Sequence, residues 1–137
     1  MSMEQVRALM EETGVGFLAT TDGEKAGVRP VVGKWVDGEL WTSTFAGSDK
    51  AAQIKARPSV EYCFADKQWR HVRISGTCTI STDNADREKF FGMMPELKRY
   101  FSGPDDPNYV VLRTKVDRIR LIGPEEMQYT EVTPPGR

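Results

Sequence analysis

Two basic residues on a predicted strand and one at a predicted helix start have the types and spacing that suit a phosphate. Arg29 and Lys34 lie on the strand, and Lys50 follows Ser48, a good N-cap. A helix N-terminus offers unpaired backbone N–H groups and the positive end of the helix dipole, so a hydroxyl and cations placed there can bind a phosphate. Arginine can also grip a phosphate through two parallel hydrogen bonds. These four residues therefore predict a site for a phosphorylated cofactor.

Each of these cations, taken alone, also fits an ordinary solvated surface residue, since Lys and Arg are mostly exposed in proteins. Strict strand alternation puts Arg29 and Lys34, five residues apart in sequence, on opposite faces. They would serve one ligand only if the strand bulges, which Pro30 and Gly33 would allow. Both interpretations stay open at this point.

A run of hydroxyl side chains ends the next predicted strand. Thr42, Ser43 and Thr44 come shortly before the Gly47-Ser48 turn, where their hydroxyls could hydrogen-bond a ligand. The alternative is that they lie on an exposed strand face without a function.

A third candidate group lies on one face of a later strand. With Val72 and Ile74 on the core face, alternation puts Trp69, His71 and Arg73 on the opposite face, where they could meet a ligand or a second subunit. His71 is the chain's single histidine, and no Ser, Cys or carboxylate is paired with it in sequence. A nucleophilic triad is therefore not expected.

The two cysteines, Cys63 and Cys78, are too few for a disulfide framework, and one histidine leaves no Cys/His spacing typical of zinc. Both fall in predicted strands, so we expect small buried hydrophobic residues. No metal site and no catalytic residue is predicted.

The elements that position these groups are short. Alternation, caps and turn residues predict helices over 4–12, 49–56, 85–94 and 95–101, and strands over 15–21, 27–36, 39–44, 59–65, 72–82, 109–113 and 116–122. The tail beyond residue 124 is expected to pack poorly. Short strands joined by tight turns, with helices as plugs, predict a mainly β protein, a closed or half-closed antiparallel barrel. Because a small barrel fills its own interior, a ligand would bind on the outer wall or at a subunit interface.

Length and charge limit the partners. The 137 residues favour one domain over 1–137, and the net charge of −1 comes from 19 Lys plus Arg and 20 Asp plus Glu. Residues 25–75 carry a net +4 and the rest carries −5, which argues against a nucleic-acid stripe and permits a pocket for a small anion. There is no apolar run long enough to cross a membrane and no secretory signal, so we expect a cytoplasmic protein without a membrane partner.

Three segments carry a resemblance to a known family: RPVVGK at 29–34, TSTFAGSDKAAQI at 42–54 and WRHVRISG at 69–76. In this order and spacing they resemble the pyridoxamine 5′-phosphate oxidase-like family of FMN-binding split barrels, in particular its small general stress protein 26-like members. The resemblance covers roughly residues 5–122, which leaves 123–137 as a tail. It implies a six-stranded antiparallel split β-barrel with short helices, a homodimer, and FMN in two grooves at the dimer interface.

The resemblance also implies roles by position. Arg29 and Lys34 match the ends of the segment that binds the FMN phosphate and the flavin edge, while Thr42 and Ser43 match a pair that contacts the cofactor. Lys50 matches the second basic residue of a Gly-Ser-Arg-Lys turn, and His71 falls where the oxidase has a Gln that reaches the flavin from the other subunit. The implied cofactor-binding set is Arg29, Pro30, Val31, Lys34, Thr42, Ser43, Thr44, Ser48, Lys50, Trp69 and His71.

Two departures from the family pattern bear on function. Asp49 replaces the Arg of the family turn and puts a negative charge beside the expected phosphate. The C-terminal Arg-x-His substrate signature of the true oxidase is absent, so pyridoxamine phosphate oxidation is not expected.

The first hypothesis is therefore an FMN-dependent oxidoreductase that passes hydride or electrons from a reduced nicotinamide to a small acceptor such as a quinone or nitro compound. The alternatives are a non-catalytic flavin-binding or flavin-sensing stress protein, and the same fold with F420 or haem.

Overall fold

Turn residues and helix caps set most element boundaries in the computed structural model, which describes residues 2–136. Gly14 ends the first helix with a φ of 71°, and Asp37 and Gly38, with φ of 49° and 84°, form a tight hairpin turn. The helices are α1 Met3–Thr13, α2 Asp49–Ala56, α3 Asn84–Met93 and a 3₁₀ helix Pro95–Arg99. The strands are β1 Gly16–Thr21, β2 Ala26–Val31, β3 Lys34–Val36, β4 Glu39–Phe45, β5 Ser59–Ala65, β6 His71–Ser81, β7 Tyr109–Ile122 and β8 Thr130–Val132.

The strands form one antiparallel sheet in the order β2-β1-β5-β6-β7-β4-β3, with β8 also paired to β7. The strands at the two ends of this order, β2 and β3, are joined by Val32 and Gly33 alone. Since successive Cα atoms are about 3.8 Å apart, this link holds the two edges within about 11 Å of each other at that end. The sheet therefore curls back on itself without closing. The expected mainly β split barrel is confirmed.

The segment 27–36 is two strands, so the prediction of one bulged strand was wrong. β2 pairs with β1, whereas β3 pairs with β4 on the other side of the barrel. The break at Val32 and Gly33 is where the chain crosses between the two edges. Strand alternation in the sequence does not show which neighbour a strand pairs with, and this crossing was missed for that reason.

Residues 109–122 form one strand, where two had been predicted. Ser75 of β6 pairs with Arg118 and Gly76 pairs with Val116, so Asp117 is an extra residue in β7. This bulge shifts the alternation of buried residues by one position, which looks like a strand break in sequence. Gly76 is required here because a Cβ at this position would overlap the carbonyl oxygen of Lys115.

The core lies inside the barrel and under α1, α2 and α3. Val6, Leu9 and Met10 of α1 are buried against it, which confirms that this helix acts as a plug. A second cluster, centred on Phe90 and Tyr109, lies under α3 and the 3₁₀ helix. Its members are Val36, Trp41, Phe90, Met94, Leu97, Phe101, Tyr109 and Val111.

The cysteine prediction holds in part. Cys78 is buried, and burial raises the pKa of its thiol to about 11, which favours the neutral thiol near neutral pH. Cys63 is only half-buried.

The C-terminal tail packs onto the sheet, contrary to expectation. β4 covers β7 from Tyr109 to Thr114, which leaves the rest of that edge of β7 open. β8 pairs with it over Ile119 to Leu121 and buries Val132. Unsatisfied backbone groups on an open strand edge favour such pairing. None of the helices within residues 2–136 is long and apolar enough to span a membrane.

Candidate functional site

A cleft of about 430 Å³ lies between the end of β4 and the chain that follows α3. One wall is formed by Pro30 to Val32 and Thr42 to Phe45, and Lys50 of α2 also lines the cleft. The opposite wall comes from the segment around the 3₁₀ helix: Met94, Glu96, Leu97, Arg99, Tyr100 and Phe101. Six residues of the expected set thus line one cleft: Pro30, Val31, Thr42, Ser43, Thr44 and Lys50.

Lys50 is a partly buried cation that has no counter-ion among residues 2–136. Within residues 2–136, no carboxylate forms an ion pair with it and no hydrogen bond holds its ammonium group. Burial, followed by repulsion from Arg29, lowers the pKa of Lys50 to about 8. An anion bound in the cleft would offset both the cost of burial and the repulsion from Arg29, and would raise the pKa of Lys50. Lys50 therefore gives the cleft the chemistry of an anion site.

Ser48 caps α2, as predicted, and links this helix to β4. Its Oγ accepts a hydrogen bond of 3.1 Å from the backbone N–H of Ala51, and it shares one of 2.9 Å with Thr44 Oγ1. Thr44 lines the cleft whereas Ser48 does not. These two hydrogen bonds hold the N-terminus of α2, which is the positive end of its dipole, against Thr44 of the cleft wall.

The hydroxyls of β4 divide between structure and cleft. Thr42 Oγ1 donates a 2.8 Å hydrogen bond to the carbonyl of Val32, which holds the chain crossing between the barrel edges. The Ser43 hydroxyl is half-buried in the cleft wall and has no hydrogen-bond partner within residues 2–136. Ser43 is therefore the hydroxyl of this run that is free for a ligand.

Arg29 lies next to the cleft without lining it. Its Nη1 donates to Leu18 O at 3.1 Å and to Thr20 Oγ1 at 2.6 Å, and its Nη2 donates to Gln53 Oε1 at 3.3 Å. Burial lowers the pKa of Arg29, and the charge of exposed Asp49 opposes that effect. Asp49 therefore acts on Arg29 and does not line the cleft.

The other expected residues lie elsewhere in the chain. Lys34 lines a neighbouring cleft of about 570 Å³, which shares Val32 and Glu96 with the first. Trp69 is 81% exposed, on the turn before β6.

His71 lies at the far end of β6 from the cleft. The end of β6 at Ser81 pairs with Val111, which in turn pairs with Ser43 of the cleft wall. His71, ten residues away along β6, pairs with Ile122 at the other end of β7. Within one chain, Trp69 and His71 therefore do not meet Lys50.

A family model described as pyridoxamine 5′-phosphate oxidase matches residues 2–123. This chain belongs to that family. General stress protein 26 of Bacillus subtilis (strain 168) is 28% identical over 131 residues, which cover 90% of this chain and 89% of that protein. The match confirms the resemblance to the small general stress protein 26-like members.

Solved structures show the same fold. General Stress Protein 26 from Bacillus anthracis has a TM-score of 0.76 at 26% identity, with 91% of this chain and 96% of that chain covered. A pyridoxamine 5′-phosphate oxidase-related, FMN binding protein from Nostoc punctiforme has a TM-score of 0.74 at 15% identity, over 93% of this chain and 87% of that chain. A heme binding protein from Mycobacterium smegmatis reaches 0.75 at 18% identity, over 95% of this chain and 57% of that chain. At 15% and 18% identity, the likeness to the FMN binding protein and to the heme binding protein shows the fold alone.

Sequence reasoning missed the second wall of the cleft in this family member. The segment 95–101 was predicted as a helix without any chemical role. Phe101 packs against Phe45 of β4 with ring centroids 4.9 Å apart, and this contact brings the segment to the cleft. The one local signal was the pattern Arg99-Tyr100-Phe101, a cation followed by two aromatic residues. The contact with β4 could not be predicted from so distant a segment.

Proposed function

We propose that this protein is a flavoprotein that binds FMN in the cleft beside Lys50 and acts as an FMN-dependent oxidoreductase. The proposal rests on the environment of Lys50: this partly buried cation has no counter-ion in the described part of the chain, and it lines a cleft that also contains the unpaired hydroxyl of Ser43. Membership of the pyridoxamine 5′-phosphate oxidase family and the FMN binding protein of the same fold support this cofactor.

The residues of the cleft fit the two chemical parts of FMN. A dianionic phosphate requires cations and hydrogen-bond donors, which Lys50 and Ser43 supply. A planar aromatic ring system requires apolar walls, which Phe45 and Phe101 supply with Pro30, Val31 and Tyr100. When bound, FMN supplies a flavin ring that can accept and pass on a hydride or single electrons.

The residues of the cleft would bind the cofactor, orient it and exclude water from it. Lys50 would hold the negative charge, Ser43 would fix orientation by a hydrogen bond, and the aromatic walls would keep the ring dry. The titratable residues that line the cleft are Lys50, Glu96, Arg99 and Tyr100. The last three are exposed, and we assign none of the four as an acid or base in the proposed electron transfer from a reduced nicotinamide to a small acceptor.

We also propose a homodimer. The outer face of β1 and β2 exposes Phe17 and Val28, which are 49% and 68% accessible, with Pro30 opposite Phe17. Exposed apolar groups on one sheet face are typical of interaction surfaces. If Trp69 and His71 contact the cofactor, as the family resemblance implies, a second subunit has to supply them, because within one chain they lie far from the cleft.

A non-catalytic flavin-binding protein is the second candidate, favoured because the described residues that line the cleft include no histidine and no buried carboxylate. Steady oxidation of NADH or NADPH by the FMN-loaded protein, with a quinone or nitroarene as acceptor, would exclude it. Haem has less support, because both ring nitrogens of His71, the single histidine, are hydrogen-bonded within the chain.

The test of FMN binding compares two lysines on the same helix. Lys50→Ala should weaken FMN binding roughly 10-fold to 100-fold, because a charge-assisted hydrogen bond contributes about 1.5–3 kcal/mol. Riboflavin, which lacks the phosphate, should bind the variant and the native protein alike. Lys55→Ala, at an exposed lysine of α2 outside the cleft, is the matched control and should change neither affinity. Equal losses for FMN and riboflavin would overturn the phosphate assignment, and titration with F420 and haem tests the other cofactors.

A further inference from the structure

Tyr129 lies on the outer face of β6 and β7, in the segment that connects β7 to β8. Its ring packs edge-on against His71, with centroids 5.5 Å apart and planes at 80°. The guanidinium carbons of Arg73 and Arg120 lie 5.6 and 5.7 Å from the centre of the same ring. Both arginines also donate hydrogen bonds to Glu61. Tyr129 therefore packs against a surface formed by side chains of β5, β6 and β7.

Both ring nitrogens of His71 are engaged within the chain. Nδ1 lies 2.8 Å from the carbonyl oxygen of Trp69, and Nε2 lies 2.7 Å from the hydroxyl of Tyr129. A carbonyl oxygen only accepts, so Nδ1 must carry a proton and donate. In the neutral ring Nε2 is then the acceptor, and the Tyr129 hydroxyl donates to it.

The carbonyl that fixes Nδ1 is itself held in place. Trp69 has a φ of 71°, the left-handed conformation that a residue with a large side chain rarely adopts. The carboxylate of Asp66 holds the turn around it by accepting hydrogen bonds from the backbone N–H groups of Gln68 and Arg70, at 2.9 and 3.0 Å. The two anchors of His71 thus come from a fixed turn on one side and from the tail on the other.

We propose that Tyr129 is a positioning residue for His71. It holds the neutral imidazole ring in the Nδ1–H tautomer, and it keeps Nε2 from binding any ligand as long as Tyr129 is packed against the sheet. The segment that carries Tyr129 lies beyond the family match, which ends at residue 123. For the proposed dimeric flavin site, on which this consequence rests, His71 would meet the partner's groove as a His71–Tyr129 pair.

The experiment uses the single histidine, whose ring nitrogens give one set of ¹⁵N NMR signals. In the apo protein at about pH 8.5, where an ordinary histidine is neutral, the native spectrum should show the Nδ1–H tautomer. Tyr129→Phe keeps the aromatic ring next to the guanidinium groups of Arg73 and Arg120 and removes the hydroxyl, so the Nδ1–H fraction should fall and the Nε2 signal should shift. Met127→Ala, at a 92% exposed residue of the same segment, should leave the signals unchanged.

Two results would overturn the proposal: an Nε2–H tautomer in the native protein, or identical ring signals in the native protein and Tyr129→Phe. The native tautomer needs no variant, so the test holds even if the substitution loosens the tail. Because the measurement uses apo protein, it is independent of FMN. A failure to bind FMN would refute the proposed function and leave the tautomer result to be judged alone.

Discussion

Raising the pH should weaken FMN binding through Lys50. Burial and the neighbouring Arg29 lower the pKa of Lys50 to about 8 in the free protein. The ammonium group is then roughly 90% protonated at about pH 7 and roughly 10% protonated at about pH 9. The FMN phosphate, with a second pKa of about 6, stays dianionic throughout this range. If the phosphate binds only the charged form, the association constant should fall roughly tenfold, or about 1.3 kcal/mol.

The assay is an equilibrium titration of the protein with FMN by flavin fluorescence, repeated at half-unit steps of pH. Riboflavin serves as the ligand control, because it shares the ring system and lacks the phosphate. Lys50→Arg serves as the protein control, because a guanidinium keeps its charge over the whole range and should give a flat FMN profile. A calorimetric titration near pH 9 should also detect proton uptake when FMN binds.

Three results would refute this reasoning. The native protein could show an FMN affinity that does not change with pH, riboflavin could lose affinity in parallel with FMN, or Lys50→Arg could keep the full pH dependence. Each would mean that Lys50 does not hold the phosphate.

Two further predictions concern the barrel. Gly76→Ala should destabilise the protein by about 1–3 kcal/mol in urea unfolding, since the new methyl group would overlap the backbone of β7. The control is Gly92→Ala, at an open position on α3, which should be neutral or slightly stabilising. Equal effects of the two substitutions would contradict the bulge at Gly76. Burial acts to raise the pKa of Glu61, but hydrogen bonds from Arg73 and Ser75 outweigh burial and lower the pKa from its ordinary value of 4.5. The ionised Glu61 side chain therefore stabilises the fold above pH 4.5, and this contribution to stability is lost as the pH falls through the lowered pKa. Glu61→Gln should therefore cost about 1–3 kcal/mol at neutral pH and less in acid, whereas a constant loss at all pH values would refute the assignment.

Local signals in the sequence predicted the elements whose boundaries they contain. Ser48 and Pro58 bracket α2, which spans Asp49–Ala56 as predicted, and strict alternation gave β5 as Ser59–Ala65. These boundaries depend on the backbone of neighbouring residues, which caps and proline restrict directly.

The remaining features depend on contacts between distant segments. The crossing at Val32 and Gly33 became visible only from the pairing of β2 with β1 and of β3 with β4. The second wall of the cleft depends on Phe101 meeting Phe45, 56 positions earlier in the sequence. Register and long-range packing decide such features, and a single sequence carries little information on them.

The same limit applies to the expected cofactor-binding set. Alternation placed Arg29 and Lys34 on one strand and required a bulge to bring them together. In the structure they lie on separate strands, and Arg29 is engaged by Thr20 and Gln53 instead of facing the cleft. Their roles in cofactor binding, like those of Trp69 and His71, stay predictions.

The visible absorption spectrum of the protein, after incubation with FMN and removal of free flavin, tests the central claim most directly. We expect a yellow protein that retains about one FMN per chain, with a flavin spectrum shifted from that of free FMN, and we expect the Lys50→Ala variant to lose the flavin. A protein that elutes colourless after FMN incubation, or that retains haem in preference to FMN, would contradict FMN binding beside Lys50.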